Sequence, residues 1–390
     1  MQLALFILAI ILFIGLVVIH EWGHYIVARR NGVESEEFGI GFPPRAWSKR
    51  LKSGLLFSIN WLPLGGFVKL KGEHDSDTEP GSFGAASLGA KTRIMLAGVG
   101  MNLLFGLVLL MILAWVGMPV LISKDYNGQD QFSVKNDTHI ARQEVEAGNI
   151  LPGSPAANMG LKSLDTISSV SSAQKTYQIK TTAQLSAATK ALAGQNVSIT
   201  YKHGDQTLTK TTKLLSDQAV VNSKGTKGHL GVEPNQLTIQ RSTWSAPIVA
   251  VGFTGQLVWL SLQGLGHALG GVGSIIAGAF SGNHAARVNG QAEASSQVGG
   301  PVAIMQILWG SGSLGINFVL VFIAIISLTL ALMNILPIPA LDGGRLFMTF
   351  LSRKVFKRPL SQAAEERIVG AGMVVLLALI VLITIVDIRR

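Results

Sequence analysis

Long apolar runs alternate with long polar tracts along this chain, and that spacing predicts its organisation. Four runs, Leu3–Ile19, Ile94–Val116, Ile316–Leu336 and Val369–Val386, approach the roughly 20 residues an α-helix needs to cross a bilayer. Between Asn31 and Lys71 the period shortens to two, as in Leu55-Leu56-Phe57-Ser58-Ile59-Asn60 and Phe67-Val68-Lys69-Leu70. This predicts β-strands joined at Gly65-Gly66. The segment Gly72–Gly89, with His74, Asp75, Asp77 and Glu79, reads as a solvated loop. From Pro119 to about Gln240 the chain turns polar, rich in Ser, Thr and Lys, which predicts a soluble domain. Ala246–Phe280 is apolar but loaded with Gly, Ala and Ser, and it contains His267. One extra crossing there would place Asp342 on the membrane face opposite His20 and His24. The segment is therefore expected to be interfacial or re-entrant, followed by the polar linker Ser281–Gln297.

Composition agrees with the pattern. With 390 residues, 48% hydrophobic and only 14% charged, and a mean hydropathy of +0.42, the chain is too apolar for a soluble protein and too long for one domain. It reads as a polytopic α-helical membrane protein of about four transmembrane helices, with a membrane-associated β-hairpin region and an α/β insert. The net charge of +10 would suit nucleic acid, but the cations gather in two loops beside apolar runs, and nucleic-acid binding is not expected. These loops, Arg29–Lys91 and Arg345–Arg358, are placed in the cytosol by the positive-inside rule, which puts both termini and the polar insert outside. The apolar start has no cleavage site before His20 and predicts a retained first span. With no cysteine, any metal must be held by histidine and carboxylate.

The candidate chemistry begins directly behind the first run, at His20-Glu21-Trp22-Gly23-His24. If the helix continues through Arg29, the two histidines fall at i and i+4 on one face and can reach one zinc ion. Glu21 then stands beside the metal without ligating it, where a carboxylate takes a proton from the zinc-bound water. Charged groups at the edge of a membrane span are costly to place, so they point to function.

A second polar feature interrupts the third run, in Met333-Asn334-Ile335-Leu336-Pro337-Ile338-Pro339-Ala340-Leu341-Asp342-Gly343-Gly344. Two prolines and two glycines break the helix at membrane depth beside an acidic residue. Together with the histidine pair, this motif resembles the site-2 proteases, intramembrane zinc metalloproteases marked by HExxH in an early span and N-x-x-P-x-P-x-L-D-G in a later one. The chain is most similar to the bacterial RseP/RasP-like branch. That branch carries an extracytoplasmic PDZ domain, and the insert resembles one: Gly153-Ser154-Pro155-Ala156 precedes Gly160-Leu161-Lys162-Ser163-Leu164-Asp165-Thr166-Ile167, with Leu164 in place of the usual glycine. A helix near Thr182–Leu192 and strands near Val197–Tyr201 and Thr207–Leu214 are expected to follow.

The resemblance implies that His20, His24 and Asp342 bind zinc and that Glu21 is the general base. It also implies substrate-positioning roles for Asn334, Asn102 and the Gly65-Gly66 pair. At the second span this chain has Ala97-Gly98-Val99-Gly100-Met101-Asn102, where the family often shows A-G-P-x-x-N, and the insert has room for one PDZ module. Gly299-Gly300-Pro301-Val302 resembles a G-P-[IV] turn ahead of the third span. The implied function is cleavage of transmembrane segments of membrane proteins, such as anti-sigma factors or signal-peptide remnants, in a bacterial cell membrane. Protein C-termini would bind the PDZ-like domain. Two other readings are a non-catalytic PDZ scaffold or zinc carrier, and a membrane-anchored zinc protease cutting soluble loops. The expected segments are 1–30 with the first span, 31–91 cytosolic, 92–118 the second span, 119–240 the insert, 241–315 the interfacial segment and linker, 316–345 the third span, and 346–390 a loop and the fourth span.

Overall fold

The first apolar run and the histidine pair form one uninterrupted helix, α1 (Gln2–Arg30), with Arg29 and Arg30 in its last turn. Its 29 residues span about 43 Å at roughly 1.5 Å per residue, more than a hydrocarbon core of about 30 Å. The computed structural model describes residues 2–123, 128–223, 228–285, 288–291 and 300–389. These divide into one unit of 1–118, 131–136 and 242–390, and a second of 119–130 and 137–241.

In the first unit α1 packs on α2 (Leu88–Val116), which starts at an N-cap where Ser87 accepts a hydrogen bond from the Ala90 N–H. The seam runs through glycines. A Cβ on Gly23 would lie 2.6 Å from Met101 Cγ and 2.7 Å from the Ala97 carbonyl oxygen, so the two backbones meet there. The buried residues Leu16, His20, Gly23, His24 and Ala28 of α1 recur at the three- and four-residue spacing of one helix face.

Helices α3 (Ala246–Ser281), α4 (Pro301–Leu314), α5 (Ile316–Ile335), α6 (Asp342–Phe350) and α7 (Gln362–Arg389) complete this unit. On α5, Ser327 Oγ donates to the Asn102 carbonyl at 2.8 Å, and Leu328 fills the space left by Gly106. Five helices among the described residues are long and apolar enough to cross a membrane, the fifth being Ala246–Ile275. The re-entrant expectation for that segment is corrected: α3 is continuous over 36 residues and does not turn back. Residues 286–287 and 292–297 of the linker, and Gly299, lie outside the described residues.

Two long strands, β1 (Ser35–Arg50) and β2 (Leu56–Leu70), form the sheet region. Phe38 pairs with Val68 on one side and Phe57 on the other, while Arg50 pairs with Leu56. Each strand therefore contributes twice to the sheet, and the stretch Gly66–Leu70 pairs only on its β1 side. Gly65-Gly66 does not join two strands, as the alternation suggested. β2 runs through both glycines, Gly65 at φ 133° and Gly66 paired with Ile40.

The expected solvated loop is also corrected. Phe83 is buried with Ala28, Val33, Leu70, Ile94 and Met95, and Asp75 is 2% exposed. Asp75 is ion-paired to the buried Lys91 and to Arg353, the latter at 2.9 Å, and Ser352 Oγ lies 3.3 Å away. Burial alone would push the Asp75 carboxyl up, but the hydrogen bonds from Arg353 and Lys91 prevail and hold it below the usual carboxylate value.

The second unit is built on a sheet in the strand order 232–235, 146–150, 166–171, 196–203, 206–213, with 176–178 pairing 166–171. The helix Thr182–Ala191 contributes Leu185 and Ala188 to a core with Val145, Ala147, Ile167, Val170, Val197, Ile199 and Tyr201. Leu164 sits at φ 72°, the left-handed region where glycine is favoured, and its side chain is 58% exposed.

Candidate metal centre

Because α1 stays helical through Arg30, His20 and His24 lie one turn apart on its α2-facing side, both buried. Room for their rings comes from Gly98 on α2, where a Cβ would collide with His24 Nε2 and His20 Cε1. The third group arrives from the far end of the chain. After α5 stops at Ile335, Leu336–Leu341 run without helix, Ala340 takes φ 92°, and Asp342 opens α6. Gly343 and Gly344 permit the turn, since Cβ atoms there would strike the carbonyl oxygens of Ile335 and Ile338.

The three side chains converge. His20 Nε2 and His24 Nε2 are 3.2 Å apart, and each is 3.1 Å from Asp342 Oδ2. A tetrahedral ion with ligand bonds of about 2.0–2.1 Å has ligand atoms roughly 3.3 Å apart, so this near-equilateral triangle has the size zinc requires. His20, His24 and Asp342 are the one such cluster among the described residues. His74 lies near Glu365 and Glu366 without forming a second one.

The outer nitrogens support the same fit. His24 Nδ1 lies 2.8 Å from the Ile94 carbonyl oxygen, so Nδ1 carries the proton and Nε2 presents its lone pair to the centre. Asn102 lies against His20 Nδ1, with Nδ2 at 3.4 Å, and its buried Oδ1 has no partner. A half-turn of the amide, which exchanges its O and N, lets Oδ1 accept from His20 Nδ1–H. Both histidines then have the outer-shell acceptor typical of metal ligands.

Glu21 lies beside this triangle, and its Oε2 accepts a 3.0 Å hydrogen bond from the Val68 N–H of β2. A cavity of about 470 Å³ joins these parts, lined by Glu21, His24, Asp342, the β2 stretch Phe67–Leu70, Glu73 and Arg345 among others. Gly66 approaches Glu21, whose Cγ is 3.5 Å from where a Gly66 Cβ would stand, whereas Gly65 packs on Phe42. Asn102 reaches the centre through His20 and does not line this cavity. Asn334, half-buried in the last turn of α5, does not line it either. Sequence reasoning missed Gly98, the Ile94 carbonyl, Glu73 and Arg345. The small Ala97-Gly98 pair facing the HEWGH turn was the one available signal.

Two histidines and a carboxylate at zinc spacing, with a glutamate outside that triangle lining the same cavity, define a hydrolytic metal centre of the membrane metalloprotease class. The chain belongs to peptidase family M50, whose sequence profile it matches over residues 8–379. It is 28% identical over 382 residues to a protein of Clostridium perfringens, covering 98% of both chains. It is 29% identical over 386 residues to one of Clostridium acetobutylicum, covering 98% of this chain and 96% of the relative. A Nostoc protein is 28% identical over 372 residues, with 93% and 90% covered. All three carry zinc metalloprotease as a provisional name. The protein is a zinc-dependent membrane metalloprotease.

Proposed function

We propose that this protein is an intramembrane endopeptidase that cuts transmembrane segments of other membrane proteins. The observation that carries the reading is the cavity where His24 and Asp342 of the metal triangle, the carboxylate of Glu21 and a strand edge with no partner strand meet. His20, His24 and Asp342 hold zinc through Nε2, Nε2 and a carboxylate oxygen. Zinc, when bound, supplies Lewis-acid activation of water and of the scissile carbonyl. Glu21 takes the proton of the attacking water and returns it to the leaving amine. The Ile94 carbonyl and Asn102 hold the imidazoles in the tautomer that ligation needs.

A membrane helix hides its amides, so the substrate must become extended before it is cut. Strand addition to Gly66–Leu70 satisfies the freed backbone groups. Gly65-Gly66 allows close approach of another backbone.

Packing and charge support one topology. α1 ends and α2 begins near the metal centre, and Glu365 at the start of α7 bonds the Asp75 N–H on this same side. At the opposite end Gln2 meets Gly312, Asp387 accepts from the Ala303 N–H, and the Ser242 N–H donates to the Ala114 carbonyl. α3 therefore starts at that opposite end and the chain is back there by Gly300, which supports four crossings with α3 and α4 lying at the interface. Arg29, Arg30, Arg353, Lys354, Lys357 and Arg358 favour a cytosolic side for the metal end. The termini and the PDZ-like unit Asp137–Arg241 then lie outside, where the unit binds substrate C-termini and acts as a filter. Anti-sigma factors and signal-peptide remnants are the substrate classes proposed.

The test is metal content and cleavage by purified full-length protein reconstituted with a single-span substrate. Wild type should carry one zinc and cut, and Glu21→Gln should carry zinc without cutting. Cutting by the Glu21 variant at the wild-type rate overturns the assignment.

A further inference from the structure

The free edge of β2 is not bare. On an edge strand, alternate residues turn their N–H groups outward, and here the outward donors at Val68 and Leu70 are both taken by carboxylates. Val68 N–H donates to Glu21 Oε2 at 3.0 Å, and Leu70 N–H donates to Glu73 Oε1 at 2.9 Å. The two acids occupy the positions that the carbonyls of an added strand would take. One of them is the proposed base, and both line the cavity that holds Asp342.

Glu73 also has an alternative partner. Arg345, one turn beyond Asp342 on α6, donates to the Glu73 carbonyl at 3.1 Å, and its guanidinium is 3.9 Å from Glu73 Oε2. A carboxylate lifted from the Leu70 N–H can therefore complete this ion pair with only a side-chain rotation. Leaving the donors uncapped in a partly enclosed cavity would be costly, and an exposed edge would invite pairing with unintended strands.

We propose that Glu73 and Glu21 form a self-cap on the β2 edge, and that an extended substrate displaces both. Substrate carbonyls take the N–H groups of Val68 and Leu70, Glu73 moves onto Arg345, and Glu21 is released from Val68 toward the reacting water. Binding of an unwound peptide thereby frees the base, and a helical segment, which has no carbonyls to offer the edge, leaves it capped. Glu73 is a positioning residue in this scheme and touches no reacting atom. The inference rests on the strand-addition reading above.

The experiment compares full-length wild type, Glu73→Ala and Glu73→Gln, reconstituted with zinc and a single-span substrate carrying glycine in its span. Glu73→Ala removes the competitor and should lower KM by about 2- to 10-fold, the size of one net hydrogen bond, with kcat within about twofold. Glu73→Gln keeps a carbonyl acceptor and should retain the wild-type KM. In the substrate-free protein the Leu70 amide should exchange with solvent about tenfold faster in Glu73→Ala than in wild type. In a Glu21→Gln background, uncut substrate should slow that amide again. An unchanged KM and unchanged Leu70 exchange in folded, zinc-loaded Glu73→Ala overturn the self-cap while leaving the protease reading intact. Equal effects of Ala and Gln also overturn it, because the charge beside Arg345 would then be the cause. If no variant cuts the substrate, the protease reading fails, and absence of substrate protection at Leu70 rejects the cap as well. Should Glu73→Ala not fold, Leu70 exchange in Glu21→Gln without substrate decides: exchange slowed about tenfold relative to an unprotected amide supports the cap, and exchange at the unprotected rate overturns it.

Discussion

The metal centre and the Asp137–Arg241 part of the second unit use opposite means of holding a structure. The unit buries apolar side chains around ladders whose partners are close in sequence, such as His203 with Gln206 and Tyr201 with Leu208. The centre buries polar groups whose partners are distant: 70 positions separate His24 from Ile94, and 318 separate it from Asp342. A core of the first kind tolerates change, because area burial is spread over many residues. A polar site fails when any one partner leaves, because the remaining group is buried without compensation. Substitutions in the two regions should therefore differ in size and in kind.

The largest effect is expected at the base. Glu21→Gln should lower cleavage by roughly 10²–10⁴-fold with zinc retained, whereas alanine at His20, His24 or Asp342 should lose the metal as well. Parallel metal analysis and turnover measurements check the split.

Next comes the buried charge cluster of Asp75, Lys91 and Arg353. Asp75→Ala leaves Lys91 buried without its counter-ion and should destabilise the protein by about 3–5 kcal/mol, read by thermal unfolding in detergent. The same cluster sets an acid limit. A carboxyl held below its usual value stabilises fully above the ordinary carboxylate range and loses that contribution as pH falls below about 4. Wild type should lose stability in that window, and Asp75→Asn should show a flatter acid limb. Equal acid slopes would remove Asp75 from the account.

A smaller change is expected one shell out from the metal. Asn102→Leu removes the acceptor for His20 Nδ1 while keeping the main-chain carbonyl that Ser327 binds. It should weaken zinc by about 10–100-fold, measured by chelator competition. An unchanged zinc affinity would return Asn102 to the substrate-positioning role implied by its motif.

The smallest effect belongs to the other region. Leu164→Gly relieves a left-handed backbone at an exposed position and should stabilise the Asp137–Arg241 unit by about 0.5–1 kcal/mol, with zinc content and turnover unchanged. If it altered zinc binding, the contrast between the two regions would not hold.

The same contrast explains what the sequence made legible. His20, Glu21, His24 and Asp342 could be read because a helical i, i+4 pair and a proline-broken apolar run are local patterns, and the four apolar runs all became helices. The partners that orient them were hidden. Nothing near Asp75 announces Lys91 or Arg353, so a charged loop was read as solvated when these two cations pin it. The alternation around Gly65-Gly66 suggested a joint, but pairing with Ile40 carries β2 straight through it. For Ala246–Phe280 the parity of crossings suggested an interfacial or re-entrant segment, and the continuous helix suits only the first of these, because its backbone bonds are satisfied within the segment. Leu164 was noticed as a departure from glycine, and its φ of 72° shows that the backbone kept the glycine conformation.

The central claim is that this centre cuts within a membrane span. The most direct test is to map, by mass spectrometry, the bond broken in a reconstituted single-span substrate that also carries flexible loops on both sides. The account predicts one main cut inside the apolar segment, toward its cytosolic end, abolished by Glu21→Gln and faster when glycine or proline is placed in the span. Cuts confined to the loops, with the span left whole, would contradict it.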